Sequence, residues 1–370
     1  MRYYLIAGEA SGDLHGGNLI RSLAAEDPAA EFRFWGGDMM AAACGHPPVV
    51  HYSECAVMGL GEIIRKLGKL TGNVRRCKKD IAEWKPDVVI PIDYPGMNLR
   101  IAHFCHDAGI KVFYYIAPKT WASRPYRNRR LKAWVDKLFI VFPFEVPYFT
   151  KVGVPVVYKG NPLLDAIAAH RWTPPCEGEY IALLPGSRRS EISHTLPVCL
   201  KALDRLGANV VIAGAPSMLP SDYKPFIGDR ENVRLIFGRT YDVIKYARCA
   251  IVNSGTASLE TAIIGTPQVV CWSSDKLTYF GMVHISRVQK HVKYISLGNL
   301  CLDRLAFREL IQDEFTPDAV YYEVWRLCKD EKYRSAMKDD YALIRESLGH
   351  SGASRDVALA MIEELQNPSI

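Results

Sequence analysis

The sequence predicts an α/β protein of two successive domains, each a parallel sheet covered by helices on both faces. Three observations carry this. A length of 370 residues is more than one ordinary domain. Short apolar runs bounded by Gly or Pro alternate with segments of helical period, the pattern of buried parallel strands joined by helices. The alternation restarts mid-chain at Tyr180-Ile181-Ala182-Leu183-Leu184, where a strand, a glycine turn and a helix follow one another.

In the first domain, Tyr3–Ala7 reads as a buried strand and leads into Gly8-Glu9-Ala10-Ser11-Gly12-Asp13. A helix is expected from about Leu14 to Ala25, with Leu14, Leu19, Ile20 and Leu23 inward. Glycines in this turn let a ligand approach the backbone. Their spacing is not the GxGxxG of dinucleotide folds, which disfavours a nicotinamide or flavin. Glu9 reads equally as a cap or as a ligand contact. Phe32–Trp35 is a second strand, followed by Gly36-Gly37-Asp38.

Seven basic residues then fall between Arg65 and Lys79, interleaved with apolar ones, after Val57-Met58-Gly59-Leu60. Such a segment suits a membrane interface. The residues by themselves favour the plainer reading, an amphipathic helix packed on the sheet with a solvated basic face. Asp87–Asp93 reads as the next strand, ending in a carboxylate followed by Tyr94-Pro95-Gly96. Ligands of open parallel sheets bind outside the carboxyl ends of strands, so Asp93 is a candidate for chemistry, with helix capping as the alternative. Strands at 110–116, 137–141 and 156–158 complete the series, with the basic cluster Arg127-Asn128-Arg129-Arg130 between the first two. Gly160-Asn161-Pro162 marks a hinge and His170–Gly178 a linker. The expected domains are 1–170 and 171–370.

The second domain opens with Pro185-Gly186-Ser187-Arg188-Arg189-Ser190 and a helix whose apolar positions begin at Ile192. Ser190 is its expected N-cap. Backbone N–H groups at a helix N-terminus attract anions, and an arginine fork matches phosphate oxygens, so a phosphate or diphosphate is expected here. Strands at 209–213, 233–236 and 250–252 follow. The last feeds a second glycine turn, Ser254-Gly255-Thr256-Ala257-Ser258-Leu259-Glu260, with hydroxyls suited to phosphate and Glu260 suited to a ribose diol. Two such turns in one domain favour a nucleotide. A strand at 268–271 and three helical stretches after Pro317 complete the chain.

Composition limits the remaining classes. Hydrophobic residues at 49% and charged residues at 23% describe a chain with ample core. No run approaches the roughly 20 apolar residues of a membrane span, and the start reads as a strand rather than a signal peptide. Ten cysteines without a CxxC pair suggest reduced thiols and no zinc site. The net charge of +6 is concentrated in residues 1–160, which carry 22 Lys/Arg against 15 Asp/Glu. An anionic surface would therefore meet the first domain.

The motifs Ala7-Gly8-Glu9-Ala10-Ser11-Gly12-Asp13, Ala56-Val57-Met58-Gly59, Ile92-Asp93-Tyr94-Pro95, Leu184-Pro185-Gly186-Ser187-Arg188 and Ser254–Glu260 together resemble the lipid-A-disaccharide synthase family along essentially the whole chain. The resemblance implies a GT-B architecture, two Rossmann-like α/β/α domains with the active site in the cleft between them. It implies an inverting transfer from UDP-2,3-diacylglucosamine to 2,3-diacylglucosamine 1-phosphate, giving a β-1′,6-linked disaccharide and UDP. The first domain would bind acceptor and membrane; the second would bind the UDP-sugar. The expected place is the cytoplasmic face of a Gram-negative inner membrane, whose anionic surface is a partner. No nucleic acid is expected, and a homodimer is left open.

Residue by residue, Asp93 matches the family's proposed base, and Glu9 and Asn299 match site positions. Gly186, Ser187, Arg188, Ser254, Gly255, Thr256, Ala257 and Glu260 fall in the donor motifs. Arg188 and the helix N-termini would stabilise charge developing on the diphosphate, so no metal or other cofactor is expected; no Asp-x-Asp sequence is present. Three positions depart from the family pattern: Gly96 replaces an Asp, Ser123 a Trp and Asn161 a His. A UDP-sugar 2-epimerase of similar architecture is the alternative, disfavoured by the basic apolar segment. A non-enzymatic nucleotide-sugar binder ranks third.

Overall fold

The computed structural model describes residues 1–55, 63–275 and 293–367, with side chains at 55 and 63–69 excepted. The Ala56-Val57-Met58-Gly59 motif and Leu60 lie outside the described residues, as do the side chains of Arg65, Lys66 and Lys69. The chain forms two compact units: Met1–Asp165 with Gly349–Ile370, and Ala166–Leu348.

The first unit holds a seven-stranded parallel sheet of order β3-β2-β1-β4-β5-β6-β7. Its strands are β1 (Arg2–Ala7), β2 (Glu31–Gly36), β3 (Val50–His51), β4 (Val88–Ile92), β5 (Lys111–Tyr115), β6 (Lys137–Ile140) and β7 (Val156–Tyr158). The two-residue β3 is too short to register as a pattern in sequence. Tyr3, Tyr4, Leu5 and Ile6 are all buried, because helices cover both faces and leave no polar side. These helices are α1 (Ala10–Glu26), α2 (Asp38–Cys44), α3 (Tyr52–Cys55), α4 (Ile63–Trp84), α5 (Pro95–Asp107), α6 (Arg127–Trp134), α7 (Glu145–Lys151) and the start of α8 (Leu163–Ala168).

The described half of α4 is anchored in the core. Val74, Cys77 and Ile81 are buried, and Asp80 accepts the Tyr4 hydroxyl of β1 and the Arg33 guanidinium of β2. Its basic residues are partly committed. Arg76 donates to the Val49 carbonyl at 3.1 Å and lies over the Trp35 ring, Lys78 sits over Phe104, and Lys79 faces Glu83 at 3.7 Å. Arg75 is exposed. Residues 70–84 thus pack one face of the helix on the sheet and leave Arg75 on the other.

The second unit repeats the design with six parallel strands in the order β10-β9-β8-β11-β12-β13. These are β8 (Ile181–Leu184), β9 (Val210–Gly214), β10 (Val233–Phe237), β11 (Cys249–Asn253), β12 (Gln268–Trp272) and β13 (Glu309–Ile311). Its helices are α9 (Arg189–Leu206), α10 (Pro220–Ile227), α11 (Thr240–Lys245), α12 (Thr256–Ile264), α13 (Leu297–Leu302), α14 (Pro317–Lys329) and α15 (Glu331–Ser347).

The last helix, α16 (Ala353–Gln366), was assigned from sequence to the second domain; it packs instead against α1 of the first unit. The Asp165 carboxylate accepts the Gly352 and Ser354 N–H groups at its start, and Arg355 pairs with Glu26 of α1 at 2.6 Å. Lys137 of β6 meets Glu364 at 3.1 Å. An amphipathic period shows that a helix has a face to bury, not which sheet will bury it. Among the described residues no helix is long and apolar enough to cross a membrane.

Candidate active site

Strand order reverses direction between β1 and β4 in the first sheet, the place where open α/β sheets bind ligands. Ala7 pairs with Ile92, so Gly8-Glu9 and Asp93-Tyr94 emerge side by side. α1 begins at Ala10, four residues earlier than expected, which makes Glu9 its N-cap by backbone position. The Glu9 side chain caps nothing; it accepts the Ser11 hydroxyl at 2.9 Å. Asp13 does the structural work in this motif, its buried carboxylate accepting N–H groups of Gly37, Met39 and Met40 at the start of α2.

Asp93 and Tyr94 both sit in the left-handed region, with φ of +43° and +44°. Non-glycine residues held there store on the order of 1–3 kcal/mol each and cluster at functional sites. Tyr94, not Asp93, occupies the N-cap position of α5, and no side chain caps that helix. The capping alternative for Asp93 is thereby removed. Burial, first, and the nearby Glu9 carboxylate, second, push the Asp93 carboxyl up to about 6, against the opposing pull of Lys119, the Tyr94 N–H and Arg127. The Tyr94 ring lies over Gly8, where a Cβ would fall 2.3 Å from it.

A third carboxylate at this end of the sheet, after Glu9 and Asp93, has no motif in the sequence. Glu145 is 1% exposed, and burial pushes it up to about 7. It accepts Trp121 Nε1 at 3.1 Å and the Val141 and Phe142 N–H groups at 3.3 and 3.2 Å. Its burial follows from the turn after β6, which no local pattern announces. Asn161, one of the three departures, is buried and structural. It donates to the Val141 carbonyl at 2.8 Å and accepts the Leu163 N–H at 3.0 Å.

The second sheet reverses between β8 and β11, where Leu184 pairs with Val252. Both glycine turns therefore emerge together, each feeding a helix N-terminus. Asn253, at the end of β11, ties them: its Nδ2 donates to the Pro185 carbonyl at 3.2 Å and to Thr195 Oγ1 of α9 at 2.9 Å. Gly186 adopts φ +112°, and a Cβ there would meet the Glu191 carboxylate at 2.5 Å. The N-cap of α9 is Arg188, not Ser190, which lies inside the first turn. Glu191 reaches back instead, accepting the Ser187 N–H at 2.8 Å and Arg188 Nη1 at 2.8 Å. The Arg188 side chain is 74% exposed. Arg189 is held by Asp222 at 2.9 Å.

Gly255 is the N-cap of α12, with Thr256 exposed at its first position and Ala257 half-buried beside it. The Ser254 hydroxyl donates to the Ile295 carbonyl at 3.2 Å. Glu260 lies one turn into α12. Burial raises its carboxyl to about 7, partly offset by the Tyr241 hydroxyl at 3.4 Å. Asn299 is fully buried on α13, away from any free contact. Its amide donates to Phe307 O and Glu309 Oε1 and accepts Ala306 and Phe307 N–H groups, so it shapes residues 299–309. Among the described residues no three His, Cys, Asp or Glu side chains gather as a metal site.

Comparison with known proteins fits both sites into one frame. Residues 3–362 match the family model described as lipid-A-disaccharide synthetase. The lipid-A-disaccharide synthase of Trichlorobacter lovleyi is 35% identical, the match covering 98% of each chain. Among solved structures, a putative UDP-N-acetylglucosamine 2-epimerase from Listeria monocytogenes superposes with a TM-score of 0.71 at 11% identity, covering 100% of this chain and 97% of that one. The glycosyltransferase of kitacinnamycin gives 0.66 at 17% identity, covering 98% of both. Those two likenesses show a shared GT-B-type fold. Match across nearly the full length decides the family: the chain belongs to the lipid-A-disaccharide synthases.

Proposed function

We propose that this protein transfers the sugar of UDP-2,3-diacylglucosamine to the 6-hydroxyl of 2,3-diacylglucosamine 1-phosphate, with inversion, releasing UDP. The observation that carries the reading is Asp93, a carboxylate in a left-handed turn at the switch point of the first sheet, with a pKa near 6. A base poised near the working pH is both deprotonated and able to take a proton. The acceptor oxygen attacks the anomeric carbon, its proton passes to the Asp93 carboxylate, and the bond from that carbon to the diphosphate oxygen breaks with its electron pair on UDP.

Burial first, and the Glu9 carboxylate second, keep the Asp93 pKa raised. In the second unit the diphosphate lies against the turns at Gly186-Ser187 and Ser254-Gly255-Thr256-Ala257, and the Ser187 N–H and the exposed Arg188 guanidinium exchange their Glu191 carboxylate partner for its oxygens. These charges serve where a metal otherwise would. Glu260 is assigned to the ribose hydroxyls. Asn299 acts through the segment it shapes rather than by touching the donor.

Two acyl chains keep both substrates in a bilayer, so the protein docks on an anionic cytoplasmic membrane surface through the segment 57–79. Purified protein incubated with the UDP-diacylglucosamine, with and without the acceptor 1-phosphate, tests the reaction. UDP release that requires both lipids is the expected result. Conversion of the donor alone would instead support the epimerase reading.

A further inference from the structure

The Asp93 carboxylate can serve as a base only if the backbone beneath it keeps its left-handed turn. Two side chains outside the established motif roles hold that backbone. The Asp93 N–H donates to the Tyr115 carbonyl of β5 at 3.1 Å, extending the β4–β5 ladder by one bond. Its carbonyl turns the other way, into the protein. There it accepts Nδ2 of Asn98 at 2.7 Å and the Tyr114 hydroxyl at 2.5 Å. Asn98 lies in the first turn of α5, and its amide also faces the carbonyls of Ile92 at 3.2 Å and Ile6 at 3.4 Å. One side chain thus gathers carbonyls from the ends of both strands that flank the switch point. Asn98 and Tyr114 are each 0% exposed, so neither can exchange these partners for water.

We propose that Asn98 and Tyr114 are positioning residues that lock the Asp93 peptide in its left-handed turn and so aim the carboxylate at the acceptor hydroxyl. The inference rests on the reading of Asp93 as the base. A residue at positive φ projects its side chain on a different path from one in extended backbone. Rotation of the Asp93 peptide would therefore carry the carboxylate away from the crevice. A buried carbonyl that loses a donor has reason to rotate, because an unpaired polar group in the interior is unfavourable. The Asp93 N–H bond to Tyr115 fixes the preceding peptide and the Tyr94 ring over Gly8 the next residue, so neither holds the Asp93 carbonyl.

Tyr114→Phe removes one donor and leaves the ring in the core; Asn98→Ser removes the longer reach of the amide. Each is expected to lower kcat about 10- to 100-fold per folded molecule, the scale of a displacement of about 1 Å in a reacting group. Affinity for UDP, measured by calorimetry, stays unchanged, because the donor turns lie in the other unit. A role limited to stability would lower the melting temperature and leave kcat of the folded enzyme alone.

The deciding measurement is a double-mutant cycle with Asp93→Asn. If the two residues act through Asp93, adding Tyr114→Phe to Asp93→Asn causes no further loss. Wild-type kcat in both single variants, or an additive loss in the Asp93→Asn background, overturns the inference while leaving the base assignment intact. Full turnover in Asp93→Asn alone removes the base and this inference together. Should Tyr114→Phe not fold, Asn98→Ser carries the same cycle.

Discussion

The two switch points share a topology and differ in nearly everything else. At each, a central strand and its parallel neighbour end in register, Ala7 with Ile92 and Leu184 with Val252. In the first, the turns end in carboxylates, Glu9 and Asp93, non-glycine residues Asp93 and Tyr94 adopt left-handed backbone, and buried side-chain donors meet the Asp93 carbonyl. In the second, the strained position is Gly186, and an arginine and two helix N-termini face outward. The fold sets where chemistry happens; the turn residues set its sign. A base needs burial to raise its pKa, whereas a phosphate site needs N–H groups left open.

The largest expected effect comes from erasing the negative side of this contrast. Asp93→Asn should lower kcat by about 10²–10⁴-fold, the usual worth of a general base, with UDP binding unchanged. Turnover near wild type, with both lipids saturating, would make the two switch points functionally unequal and leave the first without chemistry. On the positive side, Arg188→Ala should weaken UDP binding by about 1.5–3 kcal/mol by calorimetry, and Glu260→Gln by less, since a neutral acceptor remains. Unchanged affinity in Arg188→Ala would move the diphosphate away from this turn.

A smaller effect tests how the carboxylates speak to each other. Glu9 raises the Asp93 pKa by like-charge repulsion, so Glu9→Gln should lower it. The acidic limb of kcat/KM, which rises with pH as Asp93 deprotonates near 6, should then move to lower pH. A limb that stays in place would uncouple the pair. The smallest effect concerns α4. Replacing Arg75, Arg76, Lys78 and Lys79 by Gln should reduce sedimentation with anionic vesicles, by about 1 kcal/mol for each cation free to face lipid. Since Arg76 is bound to Val49 and Lys79 to Glu83, Arg75→Gln should account for most of the loss. Equal vesicle binding by the fourfold variant at low and high salt would assign membrane contact elsewhere.

Much of this arrangement can be read from residues alone, for a physical reason. Strands buried on both faces are continuous apolar runs, so β1, β4, β5, β8 and β11 announce themselves, and with them the strand-end positions of Glu9, Asp93, Gly186 and Gly255. What a side chain does at those positions is less legible. Asn299 sits in a site motif yet spends its amide on Phe307 and Glu309, and Ser190 looks like a cap yet yields that place to Arg188. Glu145 carries no motif, because one of its hydrogen-bond partners, Trp121, lies 24 residues away. Hydrogen bonds between distant residues leave no periodic trace.

The return of α16 to the first unit governs the order in which the molecule can be finished. On the ribosome, residues 1–165 emerge long before their final helix, with about 180 residues of the second unit in between. At roughly 5–20 residues per second, the surface of α1 that α16 covers waits on the order of 10–40 s for its partner. During that interval Asp165 has neither Gly352 nor Ser354 to bind, and the second unit has time to fold first. The face of α1 that α16 covers is therefore the last surface of the first unit to be buried, although α1 is among the first elements to be made.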